Sequence, residues 1–370
     1  MRNFIKSHKY LFYLYTLHVL RMNKRFGFII FLFFSFKLRA QDPQFSQYYN
    51  APLYLNPAFV GTGMNTRVVC NFRSQWPGIS STTPYITTAL SFDHDLESIN
   101  SGVGLMVTRD RQGTGKLTST DVSLLYSYQV NLTKHWTFRP ALQGTLVSRN
   151  VNYSGLIFGD QLDNNGLNGN GSTDKITNQE SSILYPDIST GALFYSEIFW
   201  LGLSAHHLNR PDQSFAGALF RLPIKSSVQA GMRIPFGLQS KKKGYSTINV
   251  ERSFLPSINF KSQGKFNQLD MGLYMIYEPL MFGIWYRGIP IKYYEGITNN
   301  ESIIFLGGIH YHKLSFGYSY DLTISQLNQK NSYGAHEISI IYEWEIPYPK
   351  KKKGRPLPCP SFYKIKQAPQ

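Results

Sequence analysis

The sequence predicts a transmembrane antiparallel β-barrel, and three observations in it point that way. Strand-length segments alternate apolar residues with small or charged ones, the segments number fourteen, an even count, and their connections alternate long with short. The alternation is cleanest between Lys313 and Ile346. There Leu314, Phe316, Tyr318 and Tyr320 interleave with Ser315, Gly317, Ser319 and Asp321. Beyond a polar loop at 322–335, Ile338, Ile340, Tyr342, Trp344 and Ile346 interleave with Glu337, Ser339, Ile341, Glu343 and Glu345. Such a hairpin has one apolar face and one polar face. A soluble sandwich would bury the apolar face, whereas a membrane barrel would turn it to lipid and enclose the polar one.

Composition narrows the choice. Of the 370 residues 15% are aromatic and only 16% charged, which suits β-structure. The formal charge of +16 loses its meaning once located: eight of the excess cations lie in residues 1–40 and seven in the tail from 347 onward, both free of acids. The body between them carries +1, so the basic surface that nucleic-acid binding requires is missing and no nucleic-acid partner is expected.

The chain begins with a leader. Met22-Asn23-Lys24-Arg25, the apolar run 26–36 and Lys37-Leu38-Arg39-Ala40 have the cationic start, short hydrophobic core and small cleavage residue of a secretory signal peptide. Cleavage near Ala40 places the mature start at Gln41, and residues 1–21 read as an upstream extension, with translation starting at Met22. Neither apolar run reaches the ~18 residues of a membrane helix, which weighs against the alternative of an uncleaved anchor. Cys70 and Cys359 make no disulfide framework and belong to no zinc-like spacing; two free thiols are expected.

Residues 41–64 hold Pro43, Pro52 and Pro57 and show no period, so they form an extended, turn-rich segment. The expected strands follow at 65–72, 84–94, 101–109, 119–131, 136–150, 187–197, 198–206, 226–236, 246–260, 266–278, 281–287, 302–311, 313–321 and 336–346, making a barrel domain of 65–346 and a basic tail of 347–370. A bilayer crossing needs about 9–11 tilted residues, which the best of these supply. Long connections are expected at 73–83, 110–118, 151–186, 207–225, 288–301 and 322–335, and short ones between them. Up-and-down connectivity then gathers long loops on one side of the membrane and tight turns on the other. The pattern lapses at 237–244 and 261–265. Pro140 and Pro256 fall inside expected strands and belong at bulges or strand ends. Trp136, Trp200, Trp285, Tyr286, Tyr311, Tyr320, Tyr342 and Trp344 lie near strand ends and read as interfacial girdles.

Sites for chemistry are weak. Gly113-Thr114-Gly115-Lys116 lacks the first glycine and the final hydroxyl residue of a phosphate-cradling loop and reads as a loop tip. The Asp160–Asp174 region offers oxygen ligands at the wrong spacing for calcium and without a closing Glu. His206, His207, His310, His312 and His336 lie at strand ends with no completing ligand set. No catalytic, cofactor-binding or metal residue is assigned, no cofactor is expected, and an enzyme would need a Ser/His/acid set converging on one rim. The inward acids Asp121, Asp270, Glu337, Glu343 and Glu345 would either line a cation-preferring lumen or pair with inward cations such as Arg109, Arg139 and Lys261; near-neutrality of the body favours pairing.

The mature start, Asp42-Pro-Gln-Phe-Ser-Gln-Tyr-Tyr-Asn50-Ala-Pro-Leu-Tyr-Leu-Asn56-Pro-Ala-Phe59, with Arg73-Ser-Gln-Trp76-Pro77, Tyr333-Gly-Ala-His336-Glu337 and Pro358-Cys359-Pro360-Ser-Phe362, resembles the PorP/SprF family of outer-membrane proteins of type IX secretion and gliding motility. The resemblance covers nearly the whole mature chain. It implies an outer-membrane barrel that assists export or surface anchoring of large adhesins or enzymes bearing a C-terminal sorting domain. Its implied partners are outer-membrane lipid, the secreted client, and periplasmic ring or peptidoglycan-associated proteins. The alternative is a diffusion channel or hydrophobic-solute transporter.

Two sets of residues become candidates. Gln44, Phe45, Ser46, Gln47, Tyr48, Asn56, Pro57 and Ala58 carry the family motif and belong to a segment expected to plug the lumen, because fourteen strands enclose more space than side chains alone fill. Lys350, Lys351, Lys352, Lys353, Arg355 and Cys359 form a tail expected to dock an acidic periplasmic partner. Strand parity puts both the tail and the mature N-terminus on the periplasmic side.

Overall fold

Exposed faces of the strands are largely apolar while most charged and hydroxyl side chains are buried inside, the reverse of a soluble sheet. In the computed structural model, residues 42–344 and 357–358 are described, apart from 64–65, 80–83, 114, 154–155, 165, 175–180, 216–218, 237–239, 244–245, 250–251, 295–296 and 328. From Pro43 onward the chain forms one compact unit.

Fourteen strands make the wall: β1 (Thr66–Gln75), β2 (Tyr85–Leu96), β3 (Ser101–Gln112), β4 (Leu117–Tyr128), β5 (Thr137–Asn150), β6 (Ser182–Tyr195), β7 (Phe199–His206), β8 (Lys225–Met232), β9 (Arg252–Gln263), β10 (Phe266–Tyr277), β11 (Leu280–Tyr294), β12 (Ile297–Tyr311), β13 (Leu314–Thr323) and β14 (Ala335–Trp344). Each pairs antiparallel with its sequence neighbours, and β1 closes the ring on β14 with Val69 opposite Ile341. Closure satisfies every edge, the condition for strands to sit in hydrocarbon. The fourteen expected strands correspond one to one with these.

On β13 and β14, Leu314, Phe316, Tyr318, Ile338, Ile340 and Tyr342 are exposed while Ser315, Ser319, Asp321, Glu337 and Ser339 are buried. That choice settles the opening ambiguity in favour of lipid outside.

Strand ends depart from expectation because the period fades there: beyond the hydrocarbon both faces meet polar surroundings, so alternation no longer marks the strand. β3 runs to Gln112 and the turn to β4 is tight, with Gly113 at φ +63°. The expected long loop at 288–301 is a paired extension of β11 and β12, with register shifts after Arg287 and Ile289. The side bearing the 151–181 and 207–224 connections therefore mixes long loops with tight turns.

Pro140 and Pro256 sit inside strands, not at their ends. Each lies where one ladder lapses. Pairing of β5 with the preceding strand skips from Ser127–Ala141 to Val130–Phe138, and pairing of β9 with the preceding segment skips from Gly231–Ser257 to Ile234–Phe254. The missing proline N–H falls in the gap.

Trp200 and Trp285 are not in the girdle. Both are fully buried inside the barrel, each opposite a glycine on the neighbouring strand, Gly231 and Gly272, whose bare Cα leaves room for the indole. Outward aromatics remain at the rim at which β1 begins and β14 ends, where Trp136 stacks on Phe194 and Trp344 on Tyr342.

Candidate functional site

The lumen contains the chain's own N-terminal segment. Between Pro43 and Thr62 the backbone makes three short turns, Tyr48–Asn50, Pro52–Leu55 and Pro57–Phe59. Almost every residue from Phe45 to Thr62 is buried. The segment descends from the half of the lumen nearest the long loops, at Gln44, to the opposite rim, at Gly61, where it enters β1.

At the upper end its anchor is ionic. The Glu337 carboxylate on β14 accepts the amides of Ser46 (2.6 Å) and Gln47 (3.0 Å). Ser46 Oγ donates to Asp321 on β13 (2.6 Å) and accepts from Arg73 on β1 (2.7 Å) and Arg287 on β11 (3.0 Å). Arg73 pairs with Asp321 at 2.8 Å and Glu337 at 3.3 Å, and Arg287 with Asp270 at 3.0 Å and Asp321 at 3.1 Å. Arg287 also donates to Tyr48 Oη at 2.7 Å. Gln44 bridges Glu301 and Lys261, both at 3.3 Å. Buried charges of this kind hold only when every partner is present.

The middle is aromatic. Tyr48 lies 5.0 Å from Trp285, Tyr49 packs edge-on to Trp200 and Tyr274, and the Trp200 indole donates to Tyr49 Oη at 3.2 Å. Phe45 contacts the Tyr54 ring edge-on at 5.0 Å. Gln47 and Asn50 join Ser339, and their amides approach Gly317 so closely that a Cβ there would collide with them.

At Asn56-Pro57-Ala58 the residue types have separate causes. Asn56 Oδ1 accepts the Ala58 amide at 2.9 Å and caps the turn, while Pro57 occupies its first position, where no N–H is needed. Asn56 Nδ2 donates to Leu203 O (3.0 Å) on β7 and Gln229 Oε1 (3.2 Å) on β8. A side chain at Gly191 would strike Asn56. At the lower rim Ser127 donates to Val60 O at 2.9 Å, and Asp93, paired with Arg67 at 2.7 Å, accepts the Gly61 amide at 2.9 Å. Gln44, Phe45, Ser46, Gln47, Tyr48, Asn56, Pro57 and Ala58 thus converge on the lumen wall.

The direction of the segment corrects the parity argument for the mature N-terminus: its first described residues lie in the loop-side half of the lumen, because the segment must run the length of the barrel before β1 begins. Of the inward acids, Asp270 and Glu337 are ion-paired, and Asp121 accepts from the hydroxyls of Thr108 and Ser119; Arg109 is not among these partners. It faces outward and is exposed, whereas Arg73 and Arg287 supply the cations. Lys261 lies 3.6 Å from Asp270, and Arg139 3.6 Å from Asp95. Glu345 lies outside the described residues. So do Lys350, Lys351, Lys352, Lys353, Arg355 and Cys359, although Leu357 and Pro358 beside them are buried and Leu357 joins the same apolar cluster as Tyr49 and Phe59.

Elsewhere, Asp160 in the 151–181 connection ties that loop to itself. Its carboxylate accepts the Thr173 amide (2.6 Å) and the Ser172 and Thr173 hydroxyls, which hold its pKa below the usual carboxylate range. His207 contacts Asp187 at 2.9 Å and His336 contacts Tyr318 at 2.9 Å. Among the described residues no group of His, Cys, Asp and Glu is arranged to hold a metal ion.

In sequence Arg73 falls in the expected 73–83 connection and so has no inward position, although Arg139 is expected inward and is buried there. The signal was present: Arg67, Val69, Asn71 and Arg73 share one parity with the inward face.

The structure is similar to the toluene transporter TodX of P. putida, with 12% identity, TM-score 0.47 and coverage of 80% of this chain and 95% of that one. It is also similar to the Ralstonia pickettii toluene transporter TbuX (11%, TM-score 0.45, 80% and 94%) and to a variant of the Rh. blastica porin (6%, TM-score 0.33, 76% and 99%). No curated protein sequence matches the chain. A family model described as type IX secretion system membrane protein PorP/SprF matches residues 37–342, and the protein is therefore a member of the PorP/SprF family of outer-membrane β-barrels.

Proposed function

We propose that this barrel assists the export or surface anchoring of a large client bearing a C-terminal sorting domain, and that it does so through protein contacts at its outer connections and its periplasmic tail. The observation that carries the reading is the filled lumen: Ser46, Tyr48 and Asn56 are fastened to β1, β7, β8, β11, β13 and β14, so the segment occupies the path that a freely conducting channel would leave open. On this reading the segment obstructs the lumen, and the surfaces for recognition are the 151–181 and 207–224 connections and the opposite rim. In the sequence beyond β14, Lys350, Lys351, Lys352, Lys353 and Arg355 make a cationic run suited to an acidic periplasmic partner.

The test pairs two measurements. The intact protein is expected to conduct little in planar bilayers, with conductance rising when residues 41–62 are deleted, and a strain lacking the protein is expected to lose a surface-displayed client while small-solute uptake persists. Open-channel conductance of the intact protein with normal surface display would support the transporter alternative instead. For the tail, reversing the four consecutive lysines is expected to abolish capture of periplasmic partners.

A further inference from the structure

The outward face of β2–β5 changes character abruptly near the loop-side rim. Cross-strand register sets four rows of outward residues there. Deepest is Phe92–Leu105–Leu124–Gly144, followed by Leu90–Val107–Val122–Leu146, then Thr88–Arg109–Thr120–Ser148, and outermost Ile86–Arg111–Thr118–Asn150. The first two rows are apolar and exposed, as a hydrocarbon-facing wall should be. One step higher, about 7 Å along the strands, the wall becomes hydroxyl-bearing, with an arginine at the same strand in each of two successive rows.

Among the described residues the two arginines have no side-chain partner: no hydrogen bond or ion pair reaches the side chain of Arg109 or Arg111, and the same holds for Lys116 in the connection just above. Asp110 between them faces the lumen, where it accepts from Thr87 and Gln112. The corresponding outward row on β10–β13, Met271–Tyr286–Ile303–Leu322, carries no cation, so the feature belongs to one sector of the wall.

We infer that Arg109 and Arg111 form a site for the phosphate groups of a phosphorylated glycolipid in the surrounding outer leaflet. Two arginines two positions apart on one strand, about 7 Å along the backbone and both outward, can each make paired N–H···O contacts to one phosphate or share a diphosphorylated headgroup. The acyl chains of that lipid would lie on Leu90, Val107, Val122 and Leu146 directly below. A cation at this depth costs little, because it sits at the interface and not in the midplane. Charge complementarity with a headgroup gives it a partner that the protein itself does not supply. The inference rests on the orientation adopted under Proposed function, with the 151–181 connection outside the cell.

The experiment uses the full mature protein extracted from its native outer membrane in mild detergent, with bound lipid identified by native mass spectrometry. Wild type and a Lys313→Gln control at the opposite rim are expected to retain a phosphorylated glycolipid. The Arg109→Gln/Arg111→Gln double variant is expected to lose it by about thirtyfold, since each basic residue at an anionic surface is worth roughly fivefold. Heat-modifiable gel migration checks that the variant barrel is closed; Arg111→Gln alone, in the outermost row, serves if the double variant does not assemble. Equal lipid retention in the closed variants would overturn the inference. Orientation is read separately, by labelling Asn168→Cys on intact cells with a membrane-impermeant maleimide. Failure of that labelling would remove the orientation, whereas successful labelling with unchanged lipid would remove only the lipid site.

Discussion

Ser46 and Glu337, 291 positions apart in the chain, are joined by a backbone amide 2.6 Å from a carboxylate oxygen inside a closed ring of strands. The contact fixes the start of the lumenal segment to the strand that closes the barrel. Arg73 is held by the same carboxylate from the other side of the seam, so three parts of the chain depend on one buried anion.

Removing one partner of that cluster should be costly. Arg73→Ala leaves Asp321 and Glu337 enclosed without their shared cation, with a loss of about 3–5 kcal/mol. The expected outcome is a lower unfolding midpoint in detergent together with new protease cleavage within residues 43–62. A variant whose midpoint falls while the segment stays protected would separate barrel stability from segment anchoring.

Asn56 tests the lower anchor. Asn56→Ala removes the cap of the Pro57–Phe59 turn and the donor to Leu203 and Gln229, with an expected loss of about 1–3 kcal/mol in denaturant titration. Gly191→Ala should act similarly by displacing the Asn56 side chain without altering it. Combining the two should cost less than their sum, because both act on one contact.

The Asp160 carboxylate should make order in the 151–181 connection depend on pH. A group whose folded pKa is depressed contributes stability above its ordinary value, 3.8 here, and loses that contribution as pH falls through the lower folded value. Hydrogen exchange around residues 168–174 should therefore stay slow at neutral pH and accelerate, relative to the intrinsic rate, below about pH 4. In Asp160→Asn the fast exchange should be present at neutral pH as well.

Leu124 tests the membrane face. It is 68% exposed on β4, midway between the two rims. Leu124→Arg should cost about 2–4 kcal/mol in refolding into lipid vesicles, as a cation at the bilayer midplane does. Ser148→Arg, level with Arg109, should cost far less; equal costs would contradict the assigned depths.

The fold was legible where lipid and lumen impose opposite demands on successive residues. Leu314 to Asp321 and Val122 to Tyr128 declare their strands because the outward residues are apolar and the inward ones, Leu125 apart, are small or polar. The ends of β3 and β11 were illegible because above the hydrocarbon that contrast disappears. Trp200 and Trp285 were misplaced since an aromatic near a strand end is equally suited to an interface or to a packed lumen. Their opposing glycines, Gly231 and Gly272, held the distinguishing information, but it becomes readable only once register is known. The motif residues from Gln44 to Ala58, and Arg73 in its own motif, stand out in sequence; the pairing of Arg73 with them and the partners Arg287 and Gln229 do not, because such contacts join strands far apart in the chain.

The seam carries a consequence for assembly. Arg73 belongs to the first strand, while Asp321 and Glu337 belong to the last two. Until those strands meet, Arg73 lacks both of its carboxylates and Glu337 lacks its cation, while Asp321 keeps Arg287 on β11, so zipping the cylinder shut completes the neutralisation of its interior. The amino-terminal residues from Ser46 onward must already be threaded at that moment, and a barrel that closed around nothing would trap these charges without the hydroxyl and amides that complete their coordination.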